Sequence, residues 1–191
     1  MIERLFEDIS RVIPLSESDK ACFTEHVRYK KLKKKQFLIQ EGFLSLHTGY
    51  VAKGCLRSYT VHENGSEHIF QFAIEGWWMG DMYSFLTGEP ATMNIEALED
   101  SELIVMDLAS RERIFEQVPK FERFMRILLE KNYIANQRRV NAMLGQTAEE
   151  RYRAYINKYP QIVQRVPQHM IASYLGITPE TLSRVRKREA K

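Results

Sequence analysis

The residues best suited to chemistry lie near the end of the chain, on one short helical segment. The side chains expected on its outer face are those of Thr178, Glu180, Thr181, Ser183, Arg184 and Lys187. Arginine can donate two hydrogen bonds to guanine, glutamate can accept from the amino group of cytosine, and the others can contact bases or phosphates. The chemistry predicted here is hydrogen bonding in the major groove of DNA. No catalytic group is expected.

A helix-turn-helix must position these side chains, and the segment from Gln168 to Lys187 has the residue types that it needs. Ala172 is small where two helices would touch, and Gly176 suits a turn that requires positive φ. Thr178-Pro179 supplies a capping hydroxyl followed by a proline in the first turn. Apolar residues expected between the helices are Ile171, Leu175, Ile177, Leu182 and Val185. The alternative is an ordinary helical hairpin with a basic surface.

The charge distribution agrees with a separate basic module. The net charge is +3, and residues 1–167 are neutral overall. The excess comes from Arg184, Arg186, Lys187, Arg188 and Lys191, opposed by Glu180 and Glu189. A neutral body with a basic tip is typical of a sensor joined to a DNA-reading module.

The remaining chain changes its periodicity twice. Residues 1–27 predict helix, broken by Pro14, with a second helix from about Ser16. Residues 29–107 carry short apolar runs separated by turn residues, which indicates a β-sandwich or barrel. Asn64-Gly65 predicts a hairpin with a type I′ turn.

From about Leu108 the helical period returns. Pro119 begins a long helix that runs to about Leu144. Its apolar pattern is not a clean heptad, because Lys131, Arg138 and Arg139 interrupt it. A mixed pattern suits a helix that faces both its own barrel and a second subunit, although packing on its own domain alone is the alternative. Thr147 caps the next helix, which Pro160 stops.

Several classes of protein are excluded. No run approaches the ~18 apolar residues of a membrane span, and Met1–Asp8 is unlike a signal peptide, so a cytoplasmic protein without a membrane partner is expected. Cys22 and Cys55 do not form a CxxC pair, and the histidines lack metal-ligand spacing. We therefore expect buried, reduced cysteines and no metal, cofactor or enzymatic activity.

Three motifs extend the interpretation. The segments are Leu38-Ile39-Gln40-Glu41-Gly42, Val51-Ala52-Lys53-Gly54-Cys55-Leu56-Arg57 and Gly76-Trp77-Trp78-Met79-Gly80-Asp81. They resemble two strand motifs and the start of the phosphate-binding cassette in the cyclic-AMP receptor protein / fumarate-nitrate regulator (Crp–Fnr) family. The resemblance covers nearly the whole chain. It implies an α+β fold with an N-terminal double-stranded β-helix, that is, a jelly-roll barrel of the cyclic-nucleotide-binding type. A long dimerisation helix and a C-terminal helix-turn-helix follow.

The resemblance also implies boundaries and partners. The expected domains are a sensor at 1–118, the dimerisation helix at 119–145 and the DNA-binding domain at 146–191. The implied partners are a second copy of the chain, near-palindromic double-stranded DNA and RNA polymerase. Glu180 and Arg184 match the family's base-contacting pair, whereas Pro179 replaces its other arginine, so a different half-site is expected. Because the sequence ends at Lys191, the family's β-hairpin wing is expected to be missing or nearly so.

The cyclic-nucleotide site departs from the family pattern. Gly80-Asp81-Met82 has a shortened acid, and Ala91, followed by Thr92, replaces the arginine that pairs with the cyclic phosphate. Losing that cation removes roughly 1.5–3 kcal/mol of binding. Asn136 and Gln137 match effector-contacting positions on the long helix, or are surface or interface residues. The oxygen sensors' cysteine cluster is absent, and haem is not indicated.

The sequence therefore predicts a DNA-binding transcription regulator of Crp–Fnr type. Its effector is an unknown small molecule other than cyclic AMP, or it has none. The alternative is a cyclic-nucleotide-fold module that binds a ligand or a protein but not DNA.

Overall fold

The computed structural model describes residues 1–189 and has helices packed on the outer faces of both sheets of a β-barrel. Its helices are α1 (Ile2–Ser10), α2 (Glu17–His26), α3 (Met82–Thr87), α4 (Leu108–Gln117), α5 (Lys120–Gly145), α6 (Ala148–Lys158), α7 (Pro160–Arg165), α8 (Gln168–Leu175) and α9 (Pro179–Glu189). Its strands are β1 (Arg28–Leu32), β2 (Phe37–Ile39), β3 (Thr48–Lys53), β4 (Leu56–Val61), β5 (Glu67–Ala73), β6 (Trp78–Met79), β7 (Asn94–Ala97) and β8 (Ser101–Met106). The predicted fold class, with barrel, long helix and C-terminal helices in that order, is confirmed.

The barrel consists of two four-stranded antiparallel sheets. Their strand orders are β1-β8-β3-β6 and β2-β7-β4-β5, so consecutive strands alternate between the sheets except for the hairpin of β4 and β5. Val51, Leu56, Ile95 and Leu103 are fully buried between them. This apolar filling makes the barrel a packed core around which the other elements are arranged.

The N-terminal helices pack on the outer face of the sheet that contains β3 and β8. A capping box between Ser16 and Asp19 begins α2 after the break at Pro14, as predicted. Phe23 of α2 packs edge-on against Phe121 of α5 at 4.8 Å between ring centroids. The first two turns of the long helix are thereby anchored to the sensor barrel.

The hairpin between β4 and β5 is confirmed, but the type I′ turn predicted for it is wrong. That turn needs positive φ at both central residues, and of the two only Gly65 has it, at 80°. The loop spans residues 62–66 and closes with a hydrogen bond from the His62 amide to the Ser66 carbonyl, 2.9 Å. Asn64 instead accepts hydrogen bonds from the amide and hydroxyl of Ser66 through its side chain.

The prediction that Pro160 stops α6 is confirmed, and the residue has a second role as well. It ends α6 and is also the first residue of α7. The backbone N–H of a first helical residue has no partner within the helix, so a proline at this position removes no helical hydrogen bond. The short elements α3, β6 and α7 were not predicted. Elements of two to six residues carry too little periodicity to be distinguished from loops.

Within residues 1–189, no helix is both long enough and apolar enough to cross a lipid bilayer.

Candidate nucleic-acid interface

The helix-turn-helix is formed by α8, Gly176 and α9. Gly176 adopts the left-handed conformation, with φ of 65°, and its amide donates to the carbonyls of Ala172 and Ser173. Thr178 caps α9, because its hydroxyl accepts the Thr181 amide at 3.2 Å. The predicted roles of Gly176 and Thr178 in the turn and cap are therefore confirmed.

A common apolar cluster holds the two helices. Ala172 is fully buried at their contact, as predicted for a small residue there. Ile171, Leu175, Leu182 and Val185 are buried in the same cluster, and Ile177 packs against it while partly exposed. Burial of one side of α9 leaves its opposite side facing solvent.

The predicted DNA-contacting residues lie on that outer side. Thr178, Glu180, Ser183, Arg184 and Lys187 are exposed, and Thr181 is half-buried. Arg184 donates to the Thr181 hydroxyl at 3.2 Å. The Glu180 carboxylate accepts hydrogen bonds from its own backbone amide and from the Thr178 hydroxyl, and both lower the pKa of Glu180. The carboxylate is therefore an ionised acceptor at neutral pH. The arrangement can offer both a cationic donor and an anionic acceptor to one groove.

Two ion pairs tie the end of α9 to α6. Arg188 donates to Glu149 at 2.6 Å, and Arg153 donates to Glu189 at 2.6 Å. Within the described chain, Arg184, Arg186 and Lys187 form no ion pair, so these three charges are available to an external anion.

The helix-turn-helix is docked on the barrel of its own chain through α8. β5 is an edge strand, and Ser173 of α8 covers its free backbone groups. The Ser173 hydroxyl accepts the Ile69 amide at 3.0 Å and donates to the Glu67 carbonyl at 2.9 Å. One apolar cluster runs from β5 into the helical module. The barrel and the helix-turn-helix therefore share a packed interface in this structure.

Arg165 of α7 forms a second bridge to the barrel. It donates to both carboxylate oxygens of Glu75, at 2.7 and 3.0 Å, and also to Glu99. Although burial alone would raise it, hydrogen bonds from Arg165 and from the Gly54 amide lower the pKa of Glu75 to about 2. Hydrogen bonds to Glu75 and Glu99 in turn raise the pKa of Arg165, which stays charged.

This bridge predicts acid sensitivity. A carboxyl whose pKa falls from 4.5 to about 2 on folding stabilises the native state above pH 4.5, and the contribution is lost as pH falls toward 2. At full strength it is on the order of 3 kcal/mol. We expect Glu75→Gln to lower the free energy of unfolding in urea at pH 7 and to have progressively less effect between pH 4.5 and pH 3. Glu116→Gln, at an exposed position without an ion pair in the described chain, serves as the control. A pH-independent effect of Glu75→Gln would contradict the assignment.

The residues predicted for a cyclic-nucleotide site adjoin one another on the barrel. Asp81 is 1% exposed, and its two oxygens accept the amides of Ser84 and Thr92 at 3.2 and 2.9 Å. Ala91 is buried, and its amide donates to the Phe43 carbonyl. A β-carbon at Gly80 would lie 3.0 Å from the Thr48 hydroxyl. Met82 is half-buried and Thr92 is exposed. Asp81 therefore caps α3 and fixes the backbone at Thr92 by hydrogen bonds within the chain.

Comparisons with known proteins agree with this geometry. A family model described as cyclic nucleotide-binding domain matches residues 29–118. The fumarate and nitrate reduction regulatory protein of Vibrio cholerae is 26% identical over 86% of this chain and 69% of its own length. The transcriptional activator protein anr of Pseudomonas aeruginosa is 25% identical over 83% of this chain and 68% of its own. FixK2 from Bradyrhizobium japonicum matches in structure with a TM-score of 0.73 and 19% identity, over 85% of this chain and 83% of its own.

The chain is similar over 83–86% of its length to regulators of the Crp–Fnr type, and residues 29–118 match a cyclic nucleotide-binding domain. The resemblance inferred from the sequence motifs is thereby confirmed.

The long helix has two different faces. Near its start Phe121, Phe124 and Met125 are buried in the cluster that joins the N-terminal helices to the outer face of the first sheet. Further on, Leu129, Tyr133, Val140 and Met143 are exposed, and with Asn136 they follow a spacing of 4-3-4-3. These two faces agree with the mixed apolar pattern that the sequence predicted for this helix. We call the five residues the α5 stripe.

The two polar residues predicted as effector contacts lie on this half of α5. Asn136 donates to Asn132 at 2.7 Å, and Gln137 is exposed. Within the described chain neither forms a hydrogen bond with Asp81 or Thr92, and the predicted pocket stays a prediction.

A charged triad in the barrel was missed by sequence reasoning. Arg57 of β4 has a side chain that is 7% exposed and bonds to Glu96 and Glu67. No local sequence signal indicated the triad, since the partners of Arg57 lie 39 and 10 residues away.

Cys55, two residues before Arg57 in the chain, is fully buried, and burial raises the pKa of its thiol to about 12. Both cysteines are free and buried, as predicted.

Proposed function

We propose that this chain is a sequence-specific transcription regulator that acts as a homodimer and reads near-palindromic DNA with α9 of each subunit. The observation that carries the proposal is the outer side of α9. It presents Glu180, Arg184 and Lys187 to solvent on a helix whose opposite side is buried. A helix of this kind fits the major groove, where bases are distinguished by hydrogen bonds.

The α5 stripe supports the dimer. It exposes four apolar side chains at heptad spacing, and Tyr133 alone is 68% exposed. Two such helices can pack with these residues as the seam, and Asn136 within the seam would favour one register. The two copies of α9 would then face half-sites about one helical turn apart, ~34 Å on DNA.

The division of labour follows the fold. Residues 1–118 would be the sensor, residues 119–145 the dimerisation helix and residues 146–191 the DNA-binding domain. Binding of an effector would shift the second and third parts relative to the first. RNA polymerase, in the cytoplasm, would be the further partner of the DNA-bound dimer.

Cyclic AMP is not the effector in this proposal. Asp81 already accepts hydrogen bonds from the chain at both oxygens, and Ala91 offers no cation for a phosphate. Gly80, Met82 and Thr92 carry no positive charge for a phosphate either. A cyclic nucleotide would therefore lack the charge-assisted contact to its phosphate.

Selection of duplexes from a random DNA library tests the DNA-binding proposal. Wild-type protein should enrich a near-palindrome, and Arg184→Ala should weaken binding to that sequence by roughly 1–3 kcal/mol and relax one base position in each half-site. Lys187→Ala should weaken all sequences more evenly, because a phosphate contact carries no sequence information. Fluorescence anisotropy with labelled duplexes measures both effects.

The control is Arg113→Ala, which removes an exposed arginine on α4 outside the helix-turn-helix. It should leave both affinity and selectivity unchanged. A ligand- or protein-binding module without DNA affinity is the competing function, and salt distinguishes the two. Affinity for DNA should fall steeply as salt rises. Absence of any enriched sequence, with or without cell extract, would contradict the proposal.

A further inference from the structure

The side chain of Arg139 lies where three elements meet. Arg139 belongs to the second half of α5 and is half-buried. Its Nη1 donates to the carbonyl of Phe70 in β5. Its guanidinium carbon lies 5.0 Å from the centroid of the Phe70 ring and 4.9 Å from that of Tyr174 in α8. One cation on the long helix therefore contacts the barrel and the helix-turn-helix at the same time.

The acceptor in β5 is available because of a β-bulge. The register between β4 and β5 shifts after the pair Ser58–Gln71, and Phe70 is left without a partner. A bulged residue is left out of the ladder, so its carbonyl can accept a hydrogen bond from another element. Phe70 is also exposed, and its ring is open to contact by a side chain of α5. The bulge therefore offers an arginine both an acceptor and an aromatic face.

Tyr174 is the contact on the helix-turn-helix. Its ring lies 5.1 Å from that of Tyr155 in α6 and 5.7 Å from that of Phe72 in β5. The residue before it, Ser173, bonds to the edge of β5 through its hydroxyl. Arg139 therefore adds a link from α5 to the part of α8 that is packed on the barrel.

This link differs from the other side-chain hydrogen bonds of the same half of α5. Within the described chain, the others made by residues 126–145 stay inside the helix, from Arg126 to Glu130 and from Asn136 to Asn132. The α5 stripe, on which the proposed dimer depends, lies on this half as well. Because α8 and α9 share one apolar cluster, a side chain that holds α8 also holds α9.

We propose that Arg139 is a positioning residue for DNA reading, which fixes α9 relative to the α5 stripe and so sets the distance between the two copies of α9 in the dimer. The inference rests on the proposed function, because it presumes the dimer and its operator. One base pair inserted between two half-sites moves one of them by about 3.4 Å and turns it by about 35° around the duplex. Two helices held in fixed positions cannot follow that change, whereas released helices can.

Hydrogen exchange of the purified full chain tests the link without DNA. The Ile69 amide donates to Ser173, so its exchange rate measures how often α8 leaves β5. Arg139→Ala should accelerate this exchange about tenfold, because it removes one hydrogen bond and two cation–π contacts. Arg139→Lys should recover part of the protection, since an ammonium can still donate to the Phe70 carbonyl and lie against the rings.

Operator spacing tests the positioning role. Fluorescence anisotropy compares the selected palindrome with two duplexes whose half-sites are one base pair closer or further apart, and with a single half-site. Wild type should prefer the selected spacing about tenfold or more, and Arg139→Ala should reduce that preference to about threefold or less. The affinity of Arg139→Ala for the single half-site should be unchanged, since α9 itself is intact. Arg139→Lys should keep most of the spacing preference.

Arg138→Ala is the matched control in both measurements, because Arg138 is the adjacent arginine and is exposed. It should change neither the exchange of Ile69 nor the spacing preference. Unchanged exchange in Arg139→Ala, an unchanged spacing preference, or an equal loss of affinity for every duplex including the half-site would overturn the proposal. A wild-type protein indifferent to spacing would overturn it too. If wild type enriches no sequence, the proposed function fails, while the exchange rates still decide whether Arg139 holds α8 on β5.

Discussion

Val140→Glu is expected to convert the dimer into monomers and to lower operator affinity at least a hundredfold. Val140 lies within the α5 stripe and is 52% exposed in the single chain. In a two-fold symmetric pairing, position 140 of one helix lies close to position 140 of its partner, so the substitution places two carboxylates together in an apolar seam. Loss of the second half-site also removes the gain from simultaneous binding, which is on the order of 10²–10⁴.

Sedimentation velocity measures the change in mass, and anisotropy with a full palindrome measures the change in affinity. Lys131→Glu is the matched control, because it adds the same side chain to the same helix outside the α5 stripe. It should leave the dimer intact. A dimeric Val140→Glu protein that binds DNA normally would show that the stripe is not the interface.

Arg57→Ala is expected to lower the free energy of unfolding by about 3–5 kcal/mol. Arg57 donates to Glu96 through Nε and Nη2, at 2.9 and 2.7 Å, and to Glu67. Its guanidinium also lies 4.0 Å from the centroid of the Tyr59 ring. Although burial disfavours its charge, hydrogen bonds to Glu67 and Glu96 raise the pKa of Arg57.

The size of this effect comes from what the substitution leaves behind. The Glu96 side chain is 11% exposed, so without Arg57 its carboxylate would be nearly buried and unpaired. Adding Glu96→Gln to Arg57→Ala should therefore restore part of the loss, and urea unfolding of the two variants measures the difference. The exposed pair between Arg126 and Glu130 supplies the comparison, because Arg126→Ala should cost less than about 1 kcal/mol. An equally small effect of Arg57→Ala would show that the triad does not stabilise the barrel.

The helix-turn-helix could be predicted because its requirements are local. A small residue, a glycine and a threonine-proline cap occur at fixed offsets within twenty residues, and each satisfies a constraint that neighbouring backbone imposes. The barrel strands were similarly marked by turn residues at short intervals. Element bounds that depended on such local signals, including the start of α2 at its capping box, agree with the structure.

Predictions failed where the decisive contacts were not local. The α5 stripe was not recognised in the sequence, because α5 packs on the barrel at its start and is exposed along its second half. The apolar pattern of the whole helix therefore combines residues from two different faces. At the hairpin, the Asn64-Gly65 dipeptide suggested a type I′ turn. The observed turn is a different one, in which the Asn64 side chain accepts hydrogen bonds from Ser66. The departure of Asp81 and Ala91 from the family pattern was visible in the sequence, yet only the structure shows that Asp81 caps α3 and accepts the Thr92 amide.

The sequence by itself therefore determined the order of the longer elements, the family resemblance and the polar face of α9, since these depend on residue types within one or two turns of backbone. Only the tertiary structure decided which distant side chains meet. It placed Ser173 on the edge of β5, Arg165 against Glu75, and Arg139 against the rings of Phe70 and Tyr174. The physical reason is that burial and pairing of charges depend on how helices and sheets pack, and residues up to 106 positions apart in the chain come into contact through that packing.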